Sequence, residues 1–301
     1  MLAISTSWMD EQIGIEEWLI RVEELGFDAI ELSYTFSEKQ LEEFVSFLRN
    51  TDLKVASIHN FCPVPNDEPS DRHLSNYYRL SAVDEHERQQ AVKWTQIAVD
   101  TAEHLGAEVI VIHAGTLEFE DDRSPWLFHL YSSGQKETSK FCQERQRILQ
   151  LRAEKKRPYI AALEQSLNEV VVYSQRKNIR IGLENRYYPF EIPNFEEIGY
   201  FLSLYDKMEL GYWHDVGHAD MNERLGIKSH IDFLETYKDR MIGVHLHGIK
   251  GTKDHLAPFE GSMDLERYLP YFGPGVLKVI EAKPYASTEL IHDAVIRLKE
   301  G

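Results

Sequence analysis

Residues able to bind a metal ion end six successive apolar segments of this 301-residue chain. They are His59 in ASIHN, His113 in VIVIHAG, Glu184 in RIGLENR, Asp215 in WHDVGH, His245 in GVHLHG and Glu281 in KVIEAK. Imidazole and carboxylate donors together suit zinc, manganese, iron or cobalt, and suit magnesium less well. An ion held by such a set can polarise a carbonyl group or activate a water molecule. The sequence therefore predicts a divalent-metal site.

Three further histidines lie close to these positions, namely His218, His247 and His255. A single histidine at a strand end is more often a hydrogen-bonded structural residue than a ligand. In the same way, a lone Glu184 or Glu281 could serve only as an ion-pair partner. The joint placement on six strand ends favours metal binding over these separate structural roles.

Short apolar segments alternate with helical patterns along the whole chain. The predicted strands are Leu2–Ser5, Ala29–Ser33, Lys54–His59, Glu108–His113, Arg180–Asn185, Glu209–Asp215, Met241–His247 and Leu277–Ala282. Such near-continuous apolar runs are typical of a parallel sheet that is covered on its outer face. The predicted helices are Ile15–Leu25, Asp84–Leu105, Ile160–Lys177, Ile231–Tyr237, Leu265–Tyr271 and Thr288–Leu298, with two more after the capping boxes Ser37-x-x-Gln40 and Asn194-x-x-Glu197.

Eight strand–helix units predict the α/β class and a (β/α)8 TIM barrel, with residues 1–301 as a single domain. The alternative is a doubly wound open sheet. No G-x-G-x-x-G follows the first strand, which argues against that fold and against a nicotinamide cofactor. Two longer insertions, Phe61–Val83 and Thr116–Pro158, follow strands, so we expect both over the active-site face of the barrel.

The carboxyl ends of consecutive barrel strands form one ring, so their terminal side chains can converge. Side chains two residues apart on a strand share a face. Arg186 therefore shares a face with Glu184, and Lys283 shares one with Glu281. The predicted barrel thus gathers the metal-binding residues at one mouth.

Charge and composition limit the classes of partner. The formal net charge of −17 repels a phosphate backbone, which makes nucleic acid an unfavoured partner. No apolar stretch is long enough to cross a membrane, and the N-terminal residues do not resemble a signal peptide. With only two cysteines, neither in a C-x-x-C pair, we expect a cytoplasmic protein. Barrels of this kind often pair, so a homo-oligomer is an open expectation.

The motifs IGLENR, WHDVGHA, GVHLHG…KDHLAPFEG and VLKVIEAKP resemble those of the xylose-isomerase-like TIM-barrel superfamily. That group includes sugar isomerases and epimerases and the endonuclease IV type of apurinic-site nucleases. The resemblance to the epimerase-like members implies one metal ion bound by Glu184, Asp215, His245 and Glu281. It also implies that the two glutamates move protons and that His218 binds substrate.

The resemblance to the nuclease members implies up to three zinc ions and a larger ligand set. The matching positions are His59, His113, Glu184, Asp215, His218, His245, His255 and Glu281. One nuclease ligand is an aspartate two residues before the loop histidine. Lys253 occupies that position here, with Asp254 one residue along, which weakens the prediction of a third ion. His247 is expected beside the ligands rather than among them.

Two chemistries follow from one site. The first is isomerisation or epimerisation of a small sugar or sugar phosphate through an enediolate, with one to three divalent ions, zinc or manganese favoured. Glu184 and Glu281 would take and return the proton. Glu31, Arg186 and Lys283 would bind hydroxyl or phosphate groups, unless they only form structural ion pairs.

The second chemistry is zinc-dependent phosphodiester hydrolysis of the apurinic endonuclease type. The eight matched positions favour it, whereas the net charge and the replacement at Lys253 oppose it. A third hypothesis, a metal-stabilised barrel that only binds a partner, leaves the two glutamates without a chemical role.

Overall fold

The computed structural model describes residues 1–10, 12–65, 77–119 and 122–300. Eight parallel strands form a closed barrel, in which each strand pairs with the next and the last pairs with the first. The strands are β1 (Leu2–Ser5), β2 (Ala29–Leu32), β3 (Lys54–His59), β4 (Val109–Ile112), β5 (Arg180–Glu184), β6 (Leu210–Asp215), β7 (Met241–Leu246) and β8 (Leu277–Ile280). The predicted (β/α)8 TIM barrel is confirmed, and every predicted strand lies within two residues of its observed bounds.

The helices surround the barrel. They are α1 (Ile15–Glu24), α2 (Glu38–Leu48), α3 (Glu85–Leu105), α4 (Ser124–Ser132), α5 (Ser139–Lys155), α6 (Arg157–Gln175), α7 (Phe195–Leu204), α8 (Val216–Arg224), α9 (His230–Tyr237) and α10 (Thr288–Glu300). Both capping boxes form, at the starts of α2 and α7. None of the described helices is long and apolar enough to span a membrane.

Two helix predictions need correction. The predicted helix Leu265–Tyr271 is instead two short 3-10 turns, Leu265–Arg267 and Leu269–Tyr271. Pro270 has no backbone N–H to donate, so a continuous helix loses a hydrogen bond there. Helix α8 was not predicted, because the polar segment VGHADMNER shows no clear apolar stripe.

The two predicted insertions differ in how much of them is described. Residues 66–76 of Phe61–Val83 lie outside the described residues. The second insertion, Thr116–Pro158, contains α4 and α5, and its residues 120–121 also lie outside. The described residues also form two short two-stranded antiparallel sheets: Gly115–Thr116 pairs with Glu191–Ile192, and Gly248–Lys250 forms a hairpin with Lys253–Leu256.

The lower interior of the barrel is apolar and centres on Trp213. The cluster consists of Ala3, Ala29, Ala56, Val109, Val111, Trp213, Ile242 and Val279. Gly243 and Gly182, on the flanking strands, make room for the indole, since a Cβ at Gly243 would lie 2.1 Å from a Trp213 ring atom. The Trp213 ring lies 5.1 Å from that of His245, so it forms a floor under the polar end of the barrel.

Candidate metal centre and active site

Four side chains from four adjacent strands meet above this floor. Glu184 ends β5, Asp215 ends β6, His245 lies on β7 and Glu281 directly follows β8. Their ligand-type atoms all lie within 4.8 Å of one another, and all four residues are buried. His245 Nδ1 is the focus, 2.7 Å from Glu184 Oε1, 3.2 Å from Glu281 Oε2 and 3.8 Å from Asp215 Oδ2. We call these four residues the quartet.

The electrostatics of the quartet reflect three buried carboxylates around one imidazole. Burial alone would lower the pKa of His245, but the carboxylates of Glu281 and Glu31 raise it well above its ordinary value. Burial and the neighbouring charges of Glu184 and Asp215 raise the pKa of Glu281 to about 7, against the attraction of His245. Excess buried negative charge requires a cation, and a divalent ion supplies one. The donor set therefore fits a metal such as zinc or manganese.

The far side of His245 contacts Glu31. His245 Nε2 lies 3.1 Å from Glu31 Oε1, and Ser57 Oγ donates to Glu31 Oε2 at 2.7 Å. A histidine that binds metal through one nitrogen usually donates its other N–H to a carboxylate, so this contact supports Nδ1 as the ligand atom. Glu31 is fully buried and does not line the cavity, and its predicted contact with substrate stays a prediction. Its position suits orientation of His245.

Asp215 is the N-cap of α8 and is held from several sides. Its Oδ1 accepts the backbone N–H of His218 at 2.7 Å and lies 3.0 Å from His247 Nε2. Burial opposes a charge on His247, but Asp215 raises its pKa to about 9. Gly217 permits this approach, since a Cβ there would lie 2.1 Å from His247 Cε1. His247 thus contacts Asp215 of the quartet, and its expected place beside the ligands rather than among them stays a prediction.

A second group joins the quartet through Glu184. His113 Nε2 lies 2.6 Å from Glu184 Oε2, and the rings of His59 and His113 are 4.4 Å apart. Burial lowers the pKa of His113 to about 3 and that of His59 well below its ordinary value, so both rings are neutral, as metal ligands must be. His59 Nε2 and His113 Nδ1 are buried without a hydrogen-bond partner among the described residues.

A third group lies at the cavity edge and contains His218, Asp254 and His255. Asp254 supplies a carboxylate to this group although Lys253 occupies the position expected for it, and the number of ions stays a prediction. The Lys253 ammonium instead lies 3.6 Å over the ring of Tyr285. His255, in the second strand of this hairpin, has a positive φ of 53°, a backbone conformation that the sequence did not reveal.

A cavity of about 630 Å³ opens above the quartet. Glu281, His113 and His218 reach it from the metal-binding groups, and Tyr34 and Tyr187 supply aromatic surface. Of the predicted substrate-binding residues, Arg186 and Lys283 also line the cavity. Arg186 bonds Glu184 and, at 2.8 Å, Glu191, whereas Lys283 Nζ lies 5.9 Å from the centre of the Tyr34 ring. The cavity suits a small polar ligand with an apolar face.

The family model described as a xylose isomerase-like TIM barrel matches residues 19–272 of the chain. A relative from Sinorhizobium fredii, the uncharacterized protein y4fM, is 23% identical over 276 residues, covering 85% of this chain and 76% of the relative.

Solved structures share the fold at low identity. The 3-keto-D-glucoside 4-epimerase YcjR from E. coli has a TM-score of 0.70 at 14% identity, covering 100% of this chain and 99% of that one. D-psicose 3-epimerase from Clostridium cellulolyticum H10 has a TM-score of 0.65 at 12% identity, covering 99% and 96%. The IOLI protein with a bound zinc atom has a TM-score of 0.64 at 15% identity, covering 99% and 95%.

Proposed function

This chain belongs to the xylose isomerase-like TIM-barrel family, and from that premise we propose that it is a divalent-metal-dependent isomerase or epimerase of a sugar or sugar phosphate. One observation carries the proposal. Ligand-type atoms of four strands converge within 4.8 Å at the floor of a cavity of about 630 Å³, a volume suited to a small carbohydrate. The epimerases among the structural neighbours support the same class of reaction.

Glu184, Asp215, His245 and Glu281 would hold the ion, with zinc or manganese favoured by the mixture of nitrogen and oxygen donors. When bound, a divalent ion polarises a substrate carbonyl and acidifies the adjacent C–H bond. The Nε2–H of His245 donates to Glu31, which keeps Nδ1 directed at the carboxylates.

The two glutamates of the quartet are the proposed proton carriers, and their surroundings differ. Glu281 lines the cavity, so its carboxylate can remove the proton from the substrate carbon. Glu184 is closed in by His245, His113 and Arg186 and would return the proton on the opposite face. An epimerase needs one proton carrier on each face of the carbon, which two glutamates from different strands can provide.

The walls of the cavity would bind the rest of the sugar. Lys283 and Arg186 present cationic donors to hydroxyl or phosphate oxygens, and His218 presents an imidazole. Tyr34 and Tyr187 offer aromatic faces for the C–H side of a sugar ring.

Deuterium exchange tests this proposal. Incubation with zinc or manganese and a panel of ketoses and ketose phosphates in D₂O should place deuterium on the carbon next to the carbonyl. Glu281→Gln should reduce the exchange rate by about 10²- to 10⁴-fold, while the surface variant Glu42→Gln should exchange like the unmodified protein. Absence of exchange with every ketose tested, despite bound metal, would contradict the proposal.

A second candidate function, metal-assisted phosphodiester hydrolysis, is favoured by one specific observation. The groups His59–His113–Glu184 and His218–Asp254–His255 each place three ligand-type atoms within 4.8 Å, so three ions could be held side by side. Elemental analysis separates the candidates: one ion per chain favours proton transfer, whereas two or three zinc ions with cleavage of an abasic-site oligonucleotide favour hydrolysis. The net charge of −17 weighs against a nucleic-acid substrate.

A further inference from the structure

A line of buried polar groups runs from α9 through the outer face of β6 to the quartet. On β6, Trp213 and Asp215 face the barrel interior, so Tyr212 and His214 face the helices. His214 Nδ1 lies 2.7 Å from the Tyr212 hydroxyl, and His214 Nε2 lies 3.0 Å from Nε2 of His230, the first residue of α9. All four of these nitrogen and oxygen atoms belong to fully buried side chains.

The inner end of this line is the side-chain amide of Asn185, whose oxygen and nitrogen are identified by their backbone partners. Asn185 Oδ1 accepts the N–H of Asp215 at 2.8 Å, and Asn185 Nδ2 donates to the Asp215 carbonyl oxygen at 2.9 Å. A reversed amide would place donor against donor and acceptor against acceptor. Oδ1 therefore also faces the Tyr212 hydroxyl, 2.9 Å away.

The direction of every other bond in the line follows from this amide. Tyr212 must donate its only proton to Asn185 Oδ1, so its oxygen is an acceptor for His214, whose Nδ1 must carry hydrogen. A neutral His214 then has a bare Nε2, which requires a donor. His230 Nε2 must supply it, and this leaves His230 Nδ1 bare.

Two observations agree with this assignment. His230 Nδ1 is buried and has no hydrogen-bond partner among the described residues, as expected for the atom without hydrogen at the end of the line. Burial also lowers the pKa of His230 well below its ordinary value, which keeps the ring neutral. Burying an imidazole costs free energy that an apolar side chain would not, so two buried histidines at this position indicate a role for their hydrogen bonds.

We propose that His230, His214 and Tyr212 form a one-way hydrogen-bond relay that positions Asn185, and through it Asp215 and His218. Asn185 bonds both backbone groups of Asp215, and its own carbonyl oxygen accepts from His218 Nδ1 at 2.9 Å. A fixed Asn185 therefore fixes the backbone from which the Asp215 carboxylate extends, and directs His218 Nε2 away from Asn185. The consequence for metal binding rests on the proposed function, whereas the direction of the relay does not.

The first test reads the tautomers directly in the unmodified protein. A ¹⁵N NMR spectrum of histidine-labelled protein distinguishes ring nitrogens with and without hydrogen. The relay requires hydrogen on Nδ1 of His214 and on Nε2 of His230, with the other nitrogen of each ring bare. Hydrogen on His214 Nε2, or a charged His214 ring at neutral pH, would overturn it.

The second test uses variants of His230 at the far end of the relay. The rings of His230 and Tyr268 stack with their centres 3.8 Å apart. His230→Phe keeps a ring that can stack on Tyr268 but removes the N–H that donates to His214. His230→Gln places an N–H donor near the position of Nε2. The Phe variant should shift the ¹⁵N resonances of His218 and weaken Co²⁺ binding, and the Gln variant should restore both. Unchanged His218 resonances in the Phe variant, or failure of Gln to restore them, would overturn the relay.

Tyr212→Phe removes the link next to Asn185 and should have the larger effect, with Co²⁺ affinity reduced on the order of tenfold. The Co²⁺ absorption spectrum should also change, because Asp215 is no longer held in one orientation. Unchanged affinity and spectrum in a folded Tyr212→Phe protein would overturn the positioning role. If the unmodified protein binds no Co²⁺, the metal-dependent function fails, and the His218 resonances still decide the relay.

Discussion

The two ends of the barrel interior are formed by the same strands but differ in polarity. At the lower end, small and apolar residues pack around Trp213. At the upper end, three carboxylates and an imidazole crowd together without apolar filling. The change takes place over two residues on adjacent strands: Trp213 precedes Asp215, Gly243 precedes His245 and Val279 precedes Glu281.

The apolar cluster around Trp213 therefore sets the positions of the quartet residues above it. Trp213 pairs in register with Gly243, and Asp215 pairs with His245. Because side chains two residues apart share a face, the indole supports the imidazole directly above it. A change below should reduce stability, and a change above should reduce metal binding or activity.

The largest expected effect is at the upper end. Glu184→Gln or Glu281→Gln should reduce the exchange rate by about 10²- to 10⁴-fold, because each removes a proton carrier. Thermal stability should change little or rise, since one buried negative charge is lost. The exchange rate and the melting temperature of each variant should be measured together. A large loss of stability with normal activity would contradict the assignment of the upper end to catalysis.

The next effect is at the lower end. Gly243→Ala should destabilise the fold by about 1–3 kcal/mol, because the new Cβ would lie 2.1 Å from the Trp213 ring. Gly275→Ala is the matched control, since a Cβ there has nothing within 4 Å. Urea unfolding of both variants measures the difference. Equal stability of the two variants would show that the lower layer is not closely packed.

Glu31→Gln tests the contact between the two layers. The amide can still accept from His245 Nε2 but no longer supplies a charge, so metal affinity should fall by about 10- to 100-fold. Titration with Mn²⁺, followed by magnetic resonance of the free ion, measures this loss. A raised KM with unchanged metal affinity would instead support the substrate-binding role that the sequence suggested for Glu31.

The smallest effect concerns pH. Burial and the neighbouring carboxylates raise the pKa of Glu281 to about 7, so below that pH its proton must leave before the carboxylate can bind metal. Below about pH 7, displacement of this proton, in addition to the one on the charged His245, should therefore lower the apparent metal affinity by about a further tenfold for each pH unit. Calorimetric titrations on both sides of pH 7 provide the check, and a pH dependence that is no steeper below about pH 7 than above it would contradict the assignment of Glu281 as a ligand.

The sequence predicted the parts of the molecule that depend on local pattern. Eight apolar runs specified the strands, and metal-competent residues at the ends of the last six runs indicated a shared site. The choice of the quartet as one ligand set came from the family resemblance. This worked because strand ends in a parallel barrel converge whatever the loops do. The placement of residues such as Asp215 and His245 at one end of the barrel could therefore be predicted without knowledge of distant contacts.

The remainder depended on contacts that no local pattern contains. Glu31 meets His245 across 214 positions of sequence, so its orienting role could not be read from the chain. Asp254 joins His218 because of the hairpin of Gly248–Lys250 with Lys253–Leu256 and the positive φ at His255, which the residue types do not specify. Asn185 was missed because its role follows from an amide orientation set by the backbone of Asp215.

Anomalous diffraction from a crystal grown with Mn²⁺ tests the central claim most directly. We expect one strong peak bounded by Glu184, Asp215, His245 Nδ1 and Glu281, with His245 Nε2 still directed at Glu31. A map in which the ion lies elsewhere, or in which these four side chains share no peak at saturating Mn²⁺, would contradict it.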